Sequence, residues 1–244
     1  MVAAIEVEGV SKSFQIPHEQ RIYVKDYFLH PFSRTRYERN DALNNVTFSV
    51  EAGEFFGIFG PNGSGKSTLL RILAGIYVAD AGRVRVKGLL SPFIELGVGF
   101  DLDLNARDNI RINATLAGLT RRELDARFDA ILEFSEIGRF VDQKLKNYSS
   151  GMLMRLAYSI AIQIPFDVLL LDEVLAVGDE SFQQKCFATF DRFKNEGKTV
   201  VLVTHDLNLL SRFCDRVLLI ENGVVRASGP PNDVVDLYRE ALVG

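Results

Sequence analysis

The chain has no tryptophan, only two cysteines and three histidines, and no long apolar run. No stretch longer than eleven residues is free of Asp, Glu, Lys and Arg, whereas a membrane-spanning helix needs about 20 apolar residues. The opening MVAAIEVEGV lacks a basic flank and reaches a glutamate by its sixth residue, unlike a secretory signal. Cys186 and Cys214 stand alone in apolar contexts without C-x-x-C spacing, so they read as reduced thiols in a core rather than a disulfide framework. Excess positive charge is missing too. With 28 Lys and Arg against 32 Asp and Glu, the net charge of −4 argues against a nucleic-acid partner. No internal repeat or low-complexity tract is visible. What remains is an ordinary globular composition, 47% hydrophobic and 25% charged, over 244 residues that can bury a sizeable core. A cytoplasmic protein is expected.

Ile5, Val7 and Val10 begin a strand-like alternation that ends near Phe14. The next strand is expected at Val46–Val50, which leaves residues 15–41 as an insertion where a short hairpin would suffice. It carries His18, Tyr23, Tyr27, Phe28, His30, Phe32 and Tyr37, interleaved with Arg21, Arg34, Arg36 and Arg39. Further strands are expected at Phe55–Phe59, Val84–Val86, Val168–Leu171, Thr199–Val203 and Val217–Ile220. The uninterrupted aliphatic runs among them predict parallel strands buried on both faces. Between the two halves, Thr120-Arg121-Arg122-Glu123 is a capping-box pattern that predicts a helix through about Gly138. Leu124, Phe128, Ile131, Leu132 and Ser135 then share one face. The layout is an α/β sheet domain, residues 1–244, interrupted by a helical lobe at roughly 98–163.

Gly60-Pro61-Asn62-Gly63-Ser64-Gly65-Lys66-Ser67-Thr68 follows one expected strand and opens a helix, the setting that a G-x-x-x-x-G-K-S phosphate loop requires. Its glycines let backbone N–H groups face phosphates. Lys66 reaches the β- and γ-phosphates, and Ser67 has the hydroxyl for Mg²⁺. Val168 to Glu173 is a buried strand ending in two adjacent carboxylates. Beside a phosphate loop they divide the work: Asp172 holds Mg²⁺ directly or through water, and Glu173 polarises the attacking water. His205 ends the next apolar strand. A lone histidine is usually structural, but at the sheet edge where ligands bind this one can hydrogen-bond the γ-phosphate. Finally, Tyr148–Met152 (YSSGM) places small polar residues at the start of a helix, a second site for an anion.

The phosphate loop, YSSGM, the Asp172–Glu173 pair, the following Ala176-Val177-Gly178-Asp179, and His205 occur in the order and spacing of an ABC-transporter ATP-binding cassette, which the whole chain resembles. A capping serine explains Ser149 or Ser150 but not the coincidence with the other four motifs. The resemblance implies a P-loop NTPase fold with a parallel-sheet core, an antiparallel β subdomain and an inserted helical lobe. It implies that Ser149, Ser150 and Gly151, at the place of the LSGGQ-type motif, bind the γ-phosphate of ATP held by a second copy, with Asp179 alongside. The wordings YSSGMLMRLAYSIA, DEVLAVGDESFQQKC and IELGVGFDLDLNARDNI, with the long insertion, resemble the ATPase subunits of bacterial exporters for lipid-linked O-antigen, galactan or teichoic acid. ATP hydrolysis at the cytoplasmic face of the membrane, two integral membrane permease subunits and a lipid-linked glycan follow as expectations.

Three departures stand out. No glutamine occurs in Ser91–Asp101, where cassettes usually have one on Mg²⁺, and Glu95 is the nearest substitute. The aromatic expected to stack on adenine is Phe14, which lacks a hydroxyl, with Tyr23 or another insertion aromatic as its rival. The chain stops soon after Leu237-Tyr238, without the carbohydrate-binding domain of some members, so recognition of a modified glycan end is not expected. Phe93, Phe100, Leu102 and Leu104 either dock the membrane subunits or fill the core. The insertion is either a solvated loop or a surface facing the membrane or its lipid-linked substrate. A cassette ATPase acting on DNA or ribosomes would share the motifs, but its usual coiled-coil arms, second cassette or basic face are not seen. A transporter for another cargo would share all the ATP chemistry. A guanine-reading N/T-K-x-D motif is absent.

Overall fold

The structure, a computed structural model, describes residues 2–17, 37–93, 99–172 and 179–243. In chain order the elements are β1 (Ala3–Pro17), β2 (Tyr37–Glu51), β3 (Phe55–Phe59), α1 (Lys66–Leu73), β4 (Ala81–Val86) and β5 (Leu90–Phe93). There follow α2 (Ala106–Leu116), α3 (Arg121–Ser135), α4 (Ser150–Gln163), β6 (Val168–Asp172), α5 (Glu180–Asn195), β7 (Thr199–Val203), α6 (Leu207–Phe213), β8 (Arg216–Glu221), β9 (Val224–Gly229) and α7 (Pro231–Val243). The described strands make two sheets, an antiparallel one in the order β2-β1-β4 and a six-stranded one in the order β5-β6-β7-β3-β8-β9. The second is parallel from β5 to β8, and β9 turns back antiparallel. The aliphatic runs are therefore central parallel strands, as their sequence predicts. Successive residues face opposite sides, so Phe55 and Phe59 join the core beneath α4, α5 and α6. Phe56 and Ile58 join the one shared by α1 and the antiparallel sheet.

The first two strands run further than their sequences predict. β1 does not end at Phe14. It continues to Pro17 against β2, with Phe14 opposite Asn40, Ile16 opposite Glu38 and Pro17 opposite Tyr37. Ile16 and Tyr37 are exposed, so no burial alternation marks this extension, and the backbone ladder alone extends it. The interior of the insertion, 18–36, with Tyr23, lies outside the described residues. β5 is a four-residue edge strand containing Pro92, paired with β6 from Leu90 opposite Val168 to Phe93 opposite Leu171. Phe93 is consequently buried in the core and Phe100 packs against it, whereas Leu102 is half exposed.

α2, α3 and α4 pack around a separate apolar cluster that includes Ile110, Leu124, Ile131, Leu145 and Leu156. Thr120 Oγ1 accepts the Glu123 N–H and the Glu123 carboxylate accepts the Thr120 N–H, the reciprocal cap its sequence predicts. The helix ends at Ser135 rather than Gly138, because Glu136 turns left-handed at φ 59°. α4 joins both clusters: Leu156 and Ile160 face the lobe, and Ala157, Tyr158 and Ala161 face the sheet.

Candidate nucleotide site

The phosphate loop leaves the end of β3 and runs directly into α1. Gly65 caps that helix at φ 104°, a left-handed conformation that costs an L side chain energy, with no side-chain oxygen capping the helix. The first N–H groups of α1 are thereby kept for an anion. Lys66 is buried and its Nζ donates to the carbonyls of Gly60 and Pro61, both at 2.9 Å, which holds the ammonium inside the curve of the loop. The Ser64 hydroxyl is buried without a hydrogen-bond partner among the described residues. A cleft of about 220 Å³ is lined by Gly63, Gly65, Lys66, Ser67 and Thr68, with Phe14, Asn40 and Ala42 at its other side. Phe14 thus lies on the wall of the cleft that the phosphate loop bounds. Its ring is edge-on to Tyr77 at 5.6 Å, and the Lys12 ammonium lies 5.5 Å from its centre. Asp80 accepts from Lys12 Nζ and the Ser13 N–H, both at 2.7 Å, and these bonds pull its carboxyl down to about 2.

Sheet order places the remaining candidates. β7 lies between β6 and β3, so Asp172, His205 and the phosphate loop follow the carboxyl ends of three adjacent strands. Asp172 pairs with Val203, and the Thr204 N–H donates to the Ile58 carbonyl at 3.3 Å, tying the β7 exit to β3. Asp172 is half-buried and His205 exposed. Glu173 and Glu95 lie outside the described residues, as do Ala176-Val177-Gly178.

The YSSGM stretch builds a second cleft. Ser149 caps α4 by accepting the Met152 N–H, while Ser149 and Ser150 remain exposed. Tyr148 is buried and its hydroxyl donates to the Phe140 carbonyl at 2.7 Å; burial pushes the phenol up to about 12. Asp179 caps α5 by accepting the Phe182 N–H at 3.0 Å, a bond that, with those from Ser181 and Arg155, holds its carboxyl below the usual range. Arg155, one turn into α4, donates to Asp179 at 2.7 Å and to Glu136 at 2.5 Å, and Lys185 also pairs with Glu136. This cleft of about 350 Å³ is lined by Ser149, Gly151, Met152, Arg155 and Asp179 among others, and shares no lining residue with the phosphate-loop cleft. The fold gathers the expected residues into two groups: Phe14, the phosphate loop, Asp172 and His205, then Ser149–Gly151 with Asp179. Asn40, Tyr77 and the Arg155 pairing were not apparent from sequence, because each depends on contacts between segments 19 or more residues apart.

Residues 43–176 match the ABC transporter family model. The chain is 40% identical over 245 residues to the O-antigen export system ATP-binding protein RfbB of Klebsiella pneumoniae, covering 99% of the chain and all of that protein. It is 46% identical over 201 residues to the protein of the same name from Myxococcus xanthus, covering 82% of the chain but 46% of that longer relative. It is 41% identical over 236 residues to the teichoic acids export ATP-binding protein TagH of Levilactobacillus brevis, covering 97% of the chain and 64% of the relative. The fold superposes on a solved ATP-binding subunit of an ABC transporter with a TM-score of 0.78 at 22% identity, over 96% of this chain and 93% of that one. With its phosphate loop, strand-end carboxylate and family match together, the chain belongs to the ABC transporter family and is one of its ATP-hydrolysing cassettes.

Proposed function

We propose that the chain is the ATPase subunit of a bacterial exporter for a lipid-linked polysaccharide of the O-antigen, galactan or teichoic acid type. It works at the cytoplasmic face of the membrane, as a head-to-tail pair of cassettes on two permease subunits. The observation that carries this reading is likeness over the full length of an O-antigen export ATP-binding protein. Among the described residues no helix is long and apolar enough to cross a membrane. A groove of about 720 Å³ between the sheet and the helical lobe fits a docking role for the permease subunits. Exposed Ile76, Leu89 and Leu116 ring it, with Phe93 and Phe100 inside.

The separate clefts suit a site made from two chains. ATP lies in the phosphate-loop cleft of one copy, its γ-phosphate meeting Ser149–Gly151 of the other, so closure depends on that phosphate. Lys66 sits where it can exchange the Gly60 and Pro61 carbonyls for phosphate oxygens, and the unpartnered Ser64 hydroxyl supplies another donor. Ser67 and Asp172 present hard oxygen donors of the kind Mg²⁺ takes, completed by substrate phosphates. When bound, Mg²⁺ neutralises phosphate charge. Glu173 accepts a proton from the attacking water, and His205 holds the γ-phosphate from the β7 side. Glu95 would stand in for the missing glutamine as a further oxygen donor to Mg²⁺. Glu173→Gln should bind ATP and dimerise while hydrolysis falls at least about 100-fold. Near-normal turnover would remove Glu173 from the base role. Copurification with ribosomes or DNA, in place of an integral membrane partner, would overturn the exporter reading.

A further inference from the structure

Asn40 stands directly opposite Phe14 in the β1–β2 ladder, so the two side chains project from the same face of the sheet as neighbours. Arg39 and Asp41 project from the other face and pair with each other at 2.7 Å. Both Phe14 and Asn40 line the cleft of Gly63–Thr68, one as an apolar ring and the other as a carboxamide. Tyr77 and Lys12 brace the ring, and Asp80 fixes Lys12 and Ser13 in turn. We infer that Asn40 hydrogen-bonds the edge of the nucleotide base stacked on Phe14 and so selects for the adenine 6-amino group. This rests on the ATP-site reading of the cleft.

The chemistry is complementary. A base held by its phosphates in the loop and stacked on Phe14 presents its edge to the neighbouring strand. Adenine carries the N6–H donor between the acceptors N1 and N7. A carboxamide matches either pairing, its oxygen accepting from N6–H while its NH₂ donates to the ring nitrogen. The arrangement needs no charge and adds to the stacking that Phe14 provides for any base.

The test compares three probes on the full chain and on Asn40→Ala: ATP, the triphosphate of purine riboside, which lacks the 6-amino group, and inorganic tripolyphosphate. In the unaltered chain ATP should bind roughly five- to tenfold more tightly than the purine riboside analogue, the effect of one good hydrogen bond. Asn40→Ala should erase that preference and leave tripolyphosphate binding unchanged. Asn40→Gln, whose carboxamide reaches the same edge, should restore part of it. If the unaltered chain does not distinguish the two nucleotides, or Asn40→Ala weakens all three probes equally, the assignment is wrong. Failure of the unaltered chain to bind ATP at all would instead refute the ATP-site reading beneath it.

Discussion

Gly63 and Gly65 both have positive φ in one loop, yet their replacement should have unequal consequences. At Gly65 an added Cβ would lie 2.4 Å from the Ala42 carbonyl oxygen and 2.8 Å from Leu43 Cδ2, where real Cβ atoms essentially never come under 3.0 Å. The Leu43 tip can swing aside; the carbonyl belongs to β2 and moves only with its strand. At Gly63 the same atom would meet nothing within 4 Å. Each alanine bears the strain of a left-handed backbone, roughly 1–2 kcal/mol. Gly65→Ala adds overpacking against backbone, roughly 1–3 kcal/mol. In a chain of this size each kcal/mol moves the unfolding midpoint by about 2–4 °C. Gly65→Ala should therefore melt about 2–12 °C below Gly63→Ala when both are scanned without nucleotide. Calorimetry or circular dichroism reads the difference directly, and avoiding nucleotide keeps phosphate contacts at Gly63 from confusing it. Equal midpoints would refute the idea that β2 is a rigid wall for the phosphate loop.

Two other expectations follow from different parts of the fold. Ser150→Arg, at the exposed start of α4, should leave ATP binding to the isolated subunit intact and abolish ATP-driven dimerisation in sedimentation or gel filtration; normal dimers would undo the role given to YSSGM. Burial pushes the Cys186 and Cys214 thiols from 9.0 up to about 12, with the Asp215 charge adding to the effect at Cys214. The neutral thiol is the form the folded state favours, so this stabilisation is complete below pH 9 and is lost as the pH rises toward 12. At pH 8 the buried thiols are then almost wholly neutral, and native-state alkylation followed by mass should run roughly 100- to 1,000-fold slower than for a free thiol. Modification at the free-thiol rate would contradict that burial.

Local composition and order were sufficient for the phosphate loop, for the carboxylate at the end of β6, for the Thr120 cap and for the central strands. Each depends on residues adjacent in sequence: a glycine turn before a helix, a capping pair three residues apart, or an aliphatic run buried on both faces. The length of the β1–β2 arm was illegible, since Ile16 and Tyr37 are exposed and only backbone pairing holds them. So was β5, too short for a periodicity and broken by Pro92, which left the burial of Phe93 undecided until its partner Leu171 was placed. The sequence by itself thus determined that the chain has a phosphate loop, strand-end acids and YSSGM. Only the tertiary structure decided that β7 separates Asp172 from the loop by one strand, that Asn40 faces the same cleft as Phe14, and that YSSGM opens onto a different one. Strand order and register are set by contacts across long sequence separations, and no local pattern encodes them.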